Sequence, residues 1–127
     1  MRARLLATAR GAAQLAYCPY SKFRVGAAVL AEGEISSGCN IENASYGLSI
    51  CAERAAVFKA VGTGRRWIDA IAVTCPDAPG DAPPAGRMPC GACLQVIAQF
   101  GDGDTLVIVD GVGEMPLSEL LRRPFAL

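Results

Sequence analysis

Two cysteine motifs, far apart in the chain, place the strongest constraint on the fold. Cys90 and Cys93 follow Pro89 at the start of a predicted helix, where residues three apart lie on the same side. Cys51 stands at the start of another predicted helix and precedes Glu53 by two residues. If these three thiolates bind one metal ion, the fold must bring two helix N-termini together and leave a fourth coordination position open for water.

Two other interpretations compete with an open metal site. An isolated Cys-x-x-Cys is also typical of half a structural zinc finger or of a redox dithiol. A structural zinc site needs four protein ligands, and because the chain contains no histidine, the fourth would be a carboxylate, Cys18, Cys39 or Cys75. A redox dithiol needs no third cysteine and leaves the acidic residue beside Cys51 unexplained. The pattern therefore favours an open metal site, and the structural site stays as the alternative.

Composition narrows the classes of partner. The 12 basic and 12 acidic residues give a formal net charge of zero, so no overall field attracts nucleic acid. A hydrophobic content of 52% indicates more apolar surface than a monomer of this size hides, which favours an oligomer. No apolar run approaches the roughly 20 residues of a membrane span. Met1 to Tyr17 carries Arg2, Arg4 and Arg10 through its length instead of the charged start and apolar middle of a secretion signal, so we expect a cytoplasmic protein.

The length of 127 residues predicts one domain, residues 1–127. Hydrophobic periodicity and the positions of glycine and proline predict four helices, over Met1–Ala16, Ser49–Val61, Cys90–Phe100 and Leu117–Arg122. The same signals predict strands over Phe23–Ala31, Glu34–Ile41, Trp67–Cys75 and Thr105–Asp110, and a proline-rich loop over Pro76–Pro89. A hairpin followed by alternating helices and strands predicts an α/β fold, with a mixed, roughly five-stranded sheet in a three-layer α/β/α arrangement.

The candidate metal site needs compensation for its charge. A bound metal ion lowers the pKa of water from about 15.7 toward 7, but three thiolates give a zinc site a net negative charge that opposes this. Two helix N-termini each contribute about half a positive charge, and Arg54 can donate a hydrogen bond to a thiolate. Glu53 can move protons at the open metal position. Without the neighbouring Cys51, the ordinary interpretation of Arg54 is a member of a surface ion pair. That of Glu53 is an exposed carboxylate in the first turn of a helix.

Cys-x-Glu followed by Pro-Cys-x-x-Cys is the signature of the zinc deaminases of nucleobases. With Cys51 at the first position, the chain resembles the small cytidine deaminases, and the resemblance extends from Tyr17 to about Phe125. Pro19 to Ala28 and Asn40 to Tyr46 are similar to the two substrate segments of that family. The resemblance implies hydrolytic deamination of cytidine and 2′-deoxycytidine by a zinc-bound hydroxide, in pyrimidine salvage, by a homotetramer with Zn²⁺ as cofactor.

The resemblance also assigns roles to individual residues. It implies that Glu53 delivers protons to N3 of cytosine and to the departing amine, and that Cys51, Cys90 and Cys93 hold zinc, with Arg54 beside them. The substrate-binding residues implied by the resemblance are Phe23, Asn40, Glu42, Ala52 and Phe125. Phe23 would lie along the pyrimidine, Asn40 and Glu42 would hydrogen-bond the ribose hydroxyls, and Phe125 would reach the substrate of an adjacent subunit.

Three segments depart from the family pattern. Leu94 follows Cys93 where arginine is common, the loop over Pro76–Pro89 is longer than usual, and the segment Arg122–Phe125 differs. A deaminase of another cytosine-containing nucleoside, such as blasticidin S, would share the metal site but differ at Phe23 or at the segment Asn40–Glu42. A nucleic-acid editor would show a basic groove with aromatic residues for stacking, which this sequence lacks. A non-catalytic structural zinc module is the remaining alternative.

Overall fold

The computed structural model describes residues 1–127. Its helices are α1 Arg2–Ala13, α2 Ala52–Gly62, α3 Gly91–Gln99 and α4 Leu117–Leu120, with 3₁₀ turns at Tyr46–Leu48 and Pro84–Arg87. Its strands are β1 Gly26–Ala31, β2 Glu34–Cys39, β3 Ile68–Thr74, β4 Leu106–Val109 and β5 Gly113–Pro116. They form one sheet in the order β2-β1-β3-β4-β5, in which only β3 and β4 pair in parallel. The predicted α/β fold with a mixed five-stranded sheet is confirmed.

Helices cover both faces of the sheet, which explains why its central strands are almost continuously apolar. Successive side chains of a strand alternate between faces. Val29 on β1 and Ile71 on β3 pack in the larger core cluster with residues of α2 and α3. Ala28 on β1 packs in a second cluster with Leu5 and Ala9 of α1. The three layers therefore follow from the strand pattern.

Two glycines permit the close approach of helices to the sheet. A Cβ at Gly26 of β1 would lie 2.0 Å from the carbonyl oxygen of Ala9 in α1. A Cβ at Gly38 of β2 would lie 2.5 Å from the backbone nitrogen of Ala56 in α2. Since α2 begins directly after Cys51, the contact at Gly38 also sets where that cysteine stands.

The ends of two predicted elements differ from the structure because other hydrogen bonds replace them. The sequence predicts that the first helix continues to Ala16, but in the structure it ends at Ala13. It ends there because the Tyr17 amide donates to the carbonyl of Asn40, 3.0 Å away. The sequence predicts that the first strand begins at Phe23, but in the structure it begins at Gly26. The amides of residues 23–25 donate to side chains instead, and the carbonyl of Phe23 accepts from the side chain of Asn40.

Shorter differences occur elsewhere. The sequence predicts a second helix from Ser49, but in the structure this helix begins at Ala52. The last helix, predicted to reach Arg122, ends at Leu120. The proline-rich loop contains the 3₁₀ turn Pro84–Arg87, where proline at the first position presets the backbone angle. No sequence pattern predicts the edge strand β5. Its final residue is Pro116, which is tolerated at the edge of a sheet. None of the helices is both long enough and apolar enough to span a lipid bilayer.

Candidate active site

The three cysteines of the predicted metal site meet at one edge of the sheet. Strands β2 and β3 are both antiparallel to β1 and so run in the same direction. The helices that follow them, α2 and α3, therefore both begin at the carboxyl edge of the sheet, the usual position of ligand sites in open α/β folds. Cys51 is the N-cap of α2, Cys90 is the N-cap of α3, and Cys93 lies on the first turn of α3.

Sulfur geometry supports a shared metal ion. The three Sγ atoms all lie within 4.8 Å of one another, and those of Cys90 and Cys93 are 3.5 Å apart. The cluster contains no fourth protein ligand, whereas a closed structural zinc site has four. Thiolates are soft ligands that select zinc among the divalent ions available to proteins. The donor set therefore fits zinc with one open coordination position.

The surroundings of Cys51 favour the thiolate that a metal requires. Contacts with Cys93, Arg54 and Cys90 lower the pKa of Cys51 to about 5, whereas the contact with Cys51 and burial raise the pKa of Cys93. The distance from Arg54 Nη2 to Cys51 Sγ is 3.4 Å. The same bond raises the pKa of Arg54, so its positive charge is permanent. The predicted contact between Arg54 and a thiolate is present.

Glu53 lies beside this cluster and is buried from solvent. Its residue is 5% exposed, and burial, which disfavours the charged form, raises the pKa of Glu53 to about 7. The negative charge of Cys51 acts in the same direction. A carboxyl group with a pKa near neutrality can both accept and return a proton at physiological pH.

A cavity of about 500 Å³ opens above the cysteines, within the range of small-molecule sites. Both predicted substrate segments contribute to its wall. Its lining includes four of the five predicted substrate-binding residues together with Glu53 and two of the cysteines: Phe23, Asn40, Glu42, Ala52, Cys51 and Cys90. The fold therefore brings most of the predicted site around one space.

Comparison with known proteins agrees with this geometry. Residues 1–109 match the family model described as the cytidine and deoxycytidylate deaminase zinc-binding region. The chain belongs to this family. A cytidine deaminase from Halalkalibacterium halodurans is 46% identical over 98% of this chain and 93% of its own length. One from Mycobacterium tuberculosis is 43% identical over 97% of this chain and 88% of its own length.

Solved structures show the same fold. The crystal structure of cytidine deaminase from Burkholderia pseudomallei superposes with a TM-score of 0.87 at 39% identity, covering 98% of this chain and 99% of that one. The structure from Mycobacterium tuberculosis gives 0.85 at 39% identity, with 99% and 98% covered. Membership of this zinc-dependent hydrolase family, together with the cluster of Cys51, Cys90 and Cys93, identifies Zn²⁺ as the cofactor.

Asn40 is engaged with the backbone of the first substrate segment. Its Nδ2 donates to the carbonyl of Phe23 at 2.8 Å, and its Oδ1 accepts from the amide of Val25 at 2.8 Å. An asparagine amide has two donor hydrogens and two acceptor lone pairs, so one of each remains for a ligand. In this deaminase Asn40 therefore fixes the wall that carries Phe23, besides facing the cavity.

Glu42 lines the cavity, and backbone amides bind only one of its two carboxylate oxygens. Its Oε1 accepts from the amides of Tyr20 and Ser21, at 3.0 and 3.1 Å. Hydrogen bonds from Ser21, and then from Tyr20, hold the pKa of Glu42 below its ordinary value. The group is therefore ionised near neutral pH, and Oε2 is available to accept from a hydroxyl.

Phe125 does not reach the cavity of its own chain. The residue is 71% exposed and is absent from the cavity lining. Its backbone pairs with the side chain of Gln95 on α3. Within one chain, the structure therefore separates Phe125 from the other predicted substrate-binding residues.

Cys75 and Arg87 also line the cavity. The sequence offers Cys75 only as a possible fourth metal ligand and indicates no role for Arg87. Cys75 follows the last residue of β3, so its place at the carboxyl edge of the sheet is the signal that could have indicated it. Burial raises the pKa of Cys75 to about 11, which keeps it a neutral thiol. Arg87 is held by the carbonyl of Pro79 at 2.6 Å, a contact inside the long loop that no sequence pattern specifies.

Proposed function

We propose that this protein converts cytidine and 2′-deoxycytidine hydrolytically to uridine and 2′-deoxyuridine. The observation that carries the proposal is Glu53, a buried carboxyl group with a pKa of about 7. It lies next to the cluster of three cysteines and lines a cavity of about 500 Å³. The cytidine deaminases that the chain resembles, over nearly its whole length, are the second support.

Glu53 accounts for the protons of the reaction. Addition of water to C4 and loss of ammonia require that one proton of the water end on N3 and the other on the departing amine. When bound by Cys51, Cys90 and Cys93, zinc supplies the Lewis acidity that makes water nucleophilic near neutral pH. A single carboxyl group of near-neutral pKa can carry both protons in turn, because it is equally ready to release and to accept them.

Other residues of the cavity bind and orient the nucleoside. Phe23 offers an apolar wall for the pyrimidine, and its backbone is fixed by Asn40. The free oxygen of Glu42 accepts from a ribose hydroxyl, and the unused donor and acceptor of Asn40 can serve the same diol. The small side chain of Ala52, at the first position of α2, leaves room for the base.

We further propose that the sites operate within a homotetramer. Around the second substrate segment, large apolar side chains stand exposed: Tyr17, Tyr20, Ile41, Tyr46 and Leu48. Tyr46 is 75% exposed and also lines the cavity. A second copy of the chain covering this rim would bury these side chains and bring an aromatic residue, Phe125, to the substrate.

Residues 1–127 act in this proposal as one deaminase domain, since all five strands share a single sheet. None of the six cysteines forms a disulfide bond, which fits the reducing conditions of the cytoplasm. Salvage of pyrimidine nucleosides is the corresponding role, with free nucleoside as substrate and neither nucleic acid nor membrane as partner.

Loss of the amine, followed spectroscopically with a panel of substrates, tests the proposal. The panel contains cytidine, 2′-deoxycytidine, free cytosine, cytidine monophosphate and single-stranded DNA. We expect both nucleosides to react and free cytosine to react far more slowly, because it lacks the ribose. Glu42→Ala should slow the nucleosides selectively and narrow that gap. Equal slowing of cytidine and cytosine by Glu42→Ala would instead assign Glu42 to the fold.

Mixed oligomers test whether Phe125 acts between subunits. Phe125→Ala should lower kcat/KM by about 5- to 150-fold with zinc retained, since stacking of an aromatic side chain on a base contributes roughly 1 to 3 kcal/mol. Mixing Phe125→Ala subunits with Glu53→Gln subunits should restore activity, because some sites then combine an intact Glu53 with a neighbour's Phe125. Absence of rescue in verified mixed oligomers would rule out a contribution from the neighbour.

A further inference from the structure

The side chain of Gln95 makes a two-point contact with the backbone near the end of the chain. Its Nε2 donates to the carbonyl of Phe125 at 2.9 Å, and its Oε1 accepts from the amide of Phe125 at 3.3 Å. This is the pair of bonds that a neighbouring strand residue would make in an antiparallel ladder. The side chain of Gln95 therefore takes the place of a neighbouring strand, for Phe125 alone.

These two bonds are the only hydrogen bonds that hold the last six residues. Residues 122–127 are all exposed, and they lie outside every helix and strand. They make no other hydrogen bond with the rest of the chain. A chain end without such contacts is ordinarily disordered. The position of Phe125 in space thus depends on Gln95.

Helix geometry shows which way the anchored residue faces. At 3.6 residues per turn, positions two apart lie about 200° apart around a helix. Cys93 is fully buried at the metal cluster, so Gln95 lies on the opposite side of α3. The backbone of Phe125 is consequently held on the side of α3 away from its own chain's metal cluster, with its side chain open to the surroundings.

We propose that Gln95 is a positioning residue for Phe125, which it holds ready for the site of an adjacent copy. The inference rests on the proposed function, in which Phe125 contacts the nucleoside of a neighbouring subunit. Gln95 touches neither substrate nor metal. It acts by restricting the backbone of Phe125, so that the aromatic ring meets the neighbouring cavity without first losing the conformational freedom of a loose chain end.

Gln95→Met tests the anchor, because it keeps the length and helix propensity of the side chain and removes both hydrogen bonds. Gln99→Met is the matched control: Gln99 lies one turn later on α3, is exposed, and makes no side-chain hydrogen bond. Each net hydrogen bond corresponds to a factor of roughly 2 to 13 in an equilibrium. We therefore expect Gln95→Met to lower kcat/KM by about 5-fold or more, up to the loss seen in Phe125→Ala, while Gln99→Met stays at the wild-type value.

A double variant separates positioning from a general structural effect. Gln95→Met combined with Phe125→Ala should be no slower than Phe125→Ala alone, because the anchor has no purpose once the ring is gone. A further loss in the double variant, multiplying the two single effects, would overturn the proposal. So would an undiminished kcat/KM in Gln95→Met beside an impaired Phe125→Ala.

Carboxypeptidase digestion provides a readout that is independent of activity. Release of Phe125, followed by mass spectrometry, should be faster from Gln95→Met than from Gln99→Met and the wild-type protein. Equal release from all three would refute the anchor whatever Phe125 does. Faster release, together with full activity in Phe125→Ala, would instead remove Phe125 from the proposed site and with it the purpose assigned to Gln95.

Discussion

Asn40→Asp is a substitution whose effect can be worked out from two hydrogen bonds. The aspartate keeps an acceptor for the amide of Val25 but loses the donor to the carbonyl of Phe23. A carboxylate oxygen would then face that carbonyl oxygen at the site of a former 2.8 Å bond. Losing a bond and leaving its partly buried acceptor unpaired costs about 1 to 3 kcal/mol. We expect Asn40→Asp to lower the free energy of unfolding by that amount.

Asn43→Asp is the matched control for this change. Asn43 also bonds to backbone, but only as an acceptor, from the amide of Ser45 at 2.8 Å. An aspartate preserves that bond, so the same chemical substitution should leave stability nearly unchanged. The two variants therefore differ in the lost donor and in burial, because Asn40 is partly buried and Asn43 is exposed.

Urea denaturation at equal zinc and protein concentration measures the difference. The midpoint of Asn40→Asp should fall by roughly 1 M with an unchanged slope, and its KM for cytidine should rise because the wall carrying Phe23 is loosened. If Asn40→Asp were as stable as Asn43→Asp and bound cytidine equally well, the amide would not hold the first substrate segment.

Two further predictions concern the metal and the packing of α2. Replacing any one metal-site cysteine by alanine should release zinc, whereas metal analysis should find zinc retained in the corresponding variants of Cys18, Cys39 and Cys75; loss from one of these would indicate a fourth protein ligand. Gly38→Ala should lower the free energy of unfolding by about 1 to 3 kcal/mol, because its Cβ would lie 2.5 Å from the Ala56 nitrogen. Gly62→Ala, which meets nothing within 4 Å, should not, and equal stability of the two would refute the close contact.

Much of the site could be predicted because its residues occupy positions with local signals. A cysteine pair three apart and a third cysteine, each at the start of a predicted helix, predict a thiolate cluster when the helices follow strands that run in the same direction. The side-chain spacing of Cys90 and Cys93 is a property of a single helical turn. The meeting with Cys51 depends on topology, which the order of helices and strands also indicates.

The sequence leaves the hydrogen bonds of the site undetermined, because they depend on which segments become neighbours. Nothing in the composition of Phe23 to Val25 shows that the side chain of Asn40 replaces a strand partner there. Strand β5 is short, lies at the edge and ends in proline, so no periodic pattern marks it. The pairing of Gln95 with Phe125 joins residues 30 positions apart through a flexible side chain.

Glu53→Gln tests most directly whether a buried carboxyl group beside three thiolates moves the protons of deamination. Glutamine keeps the size and burial of the side chain and removes its ability to exchange protons. With zinc content measured in the same sample, we expect about one zinc per chain, as in the wild-type protein. Cytidine deamination should be slower by roughly 100- to 10,000-fold, the loss typical of a missing general acid and base. A zinc-replete Glu53→Gln variant that deaminates cytidine at close to the wild-type rate would contradict the assignment.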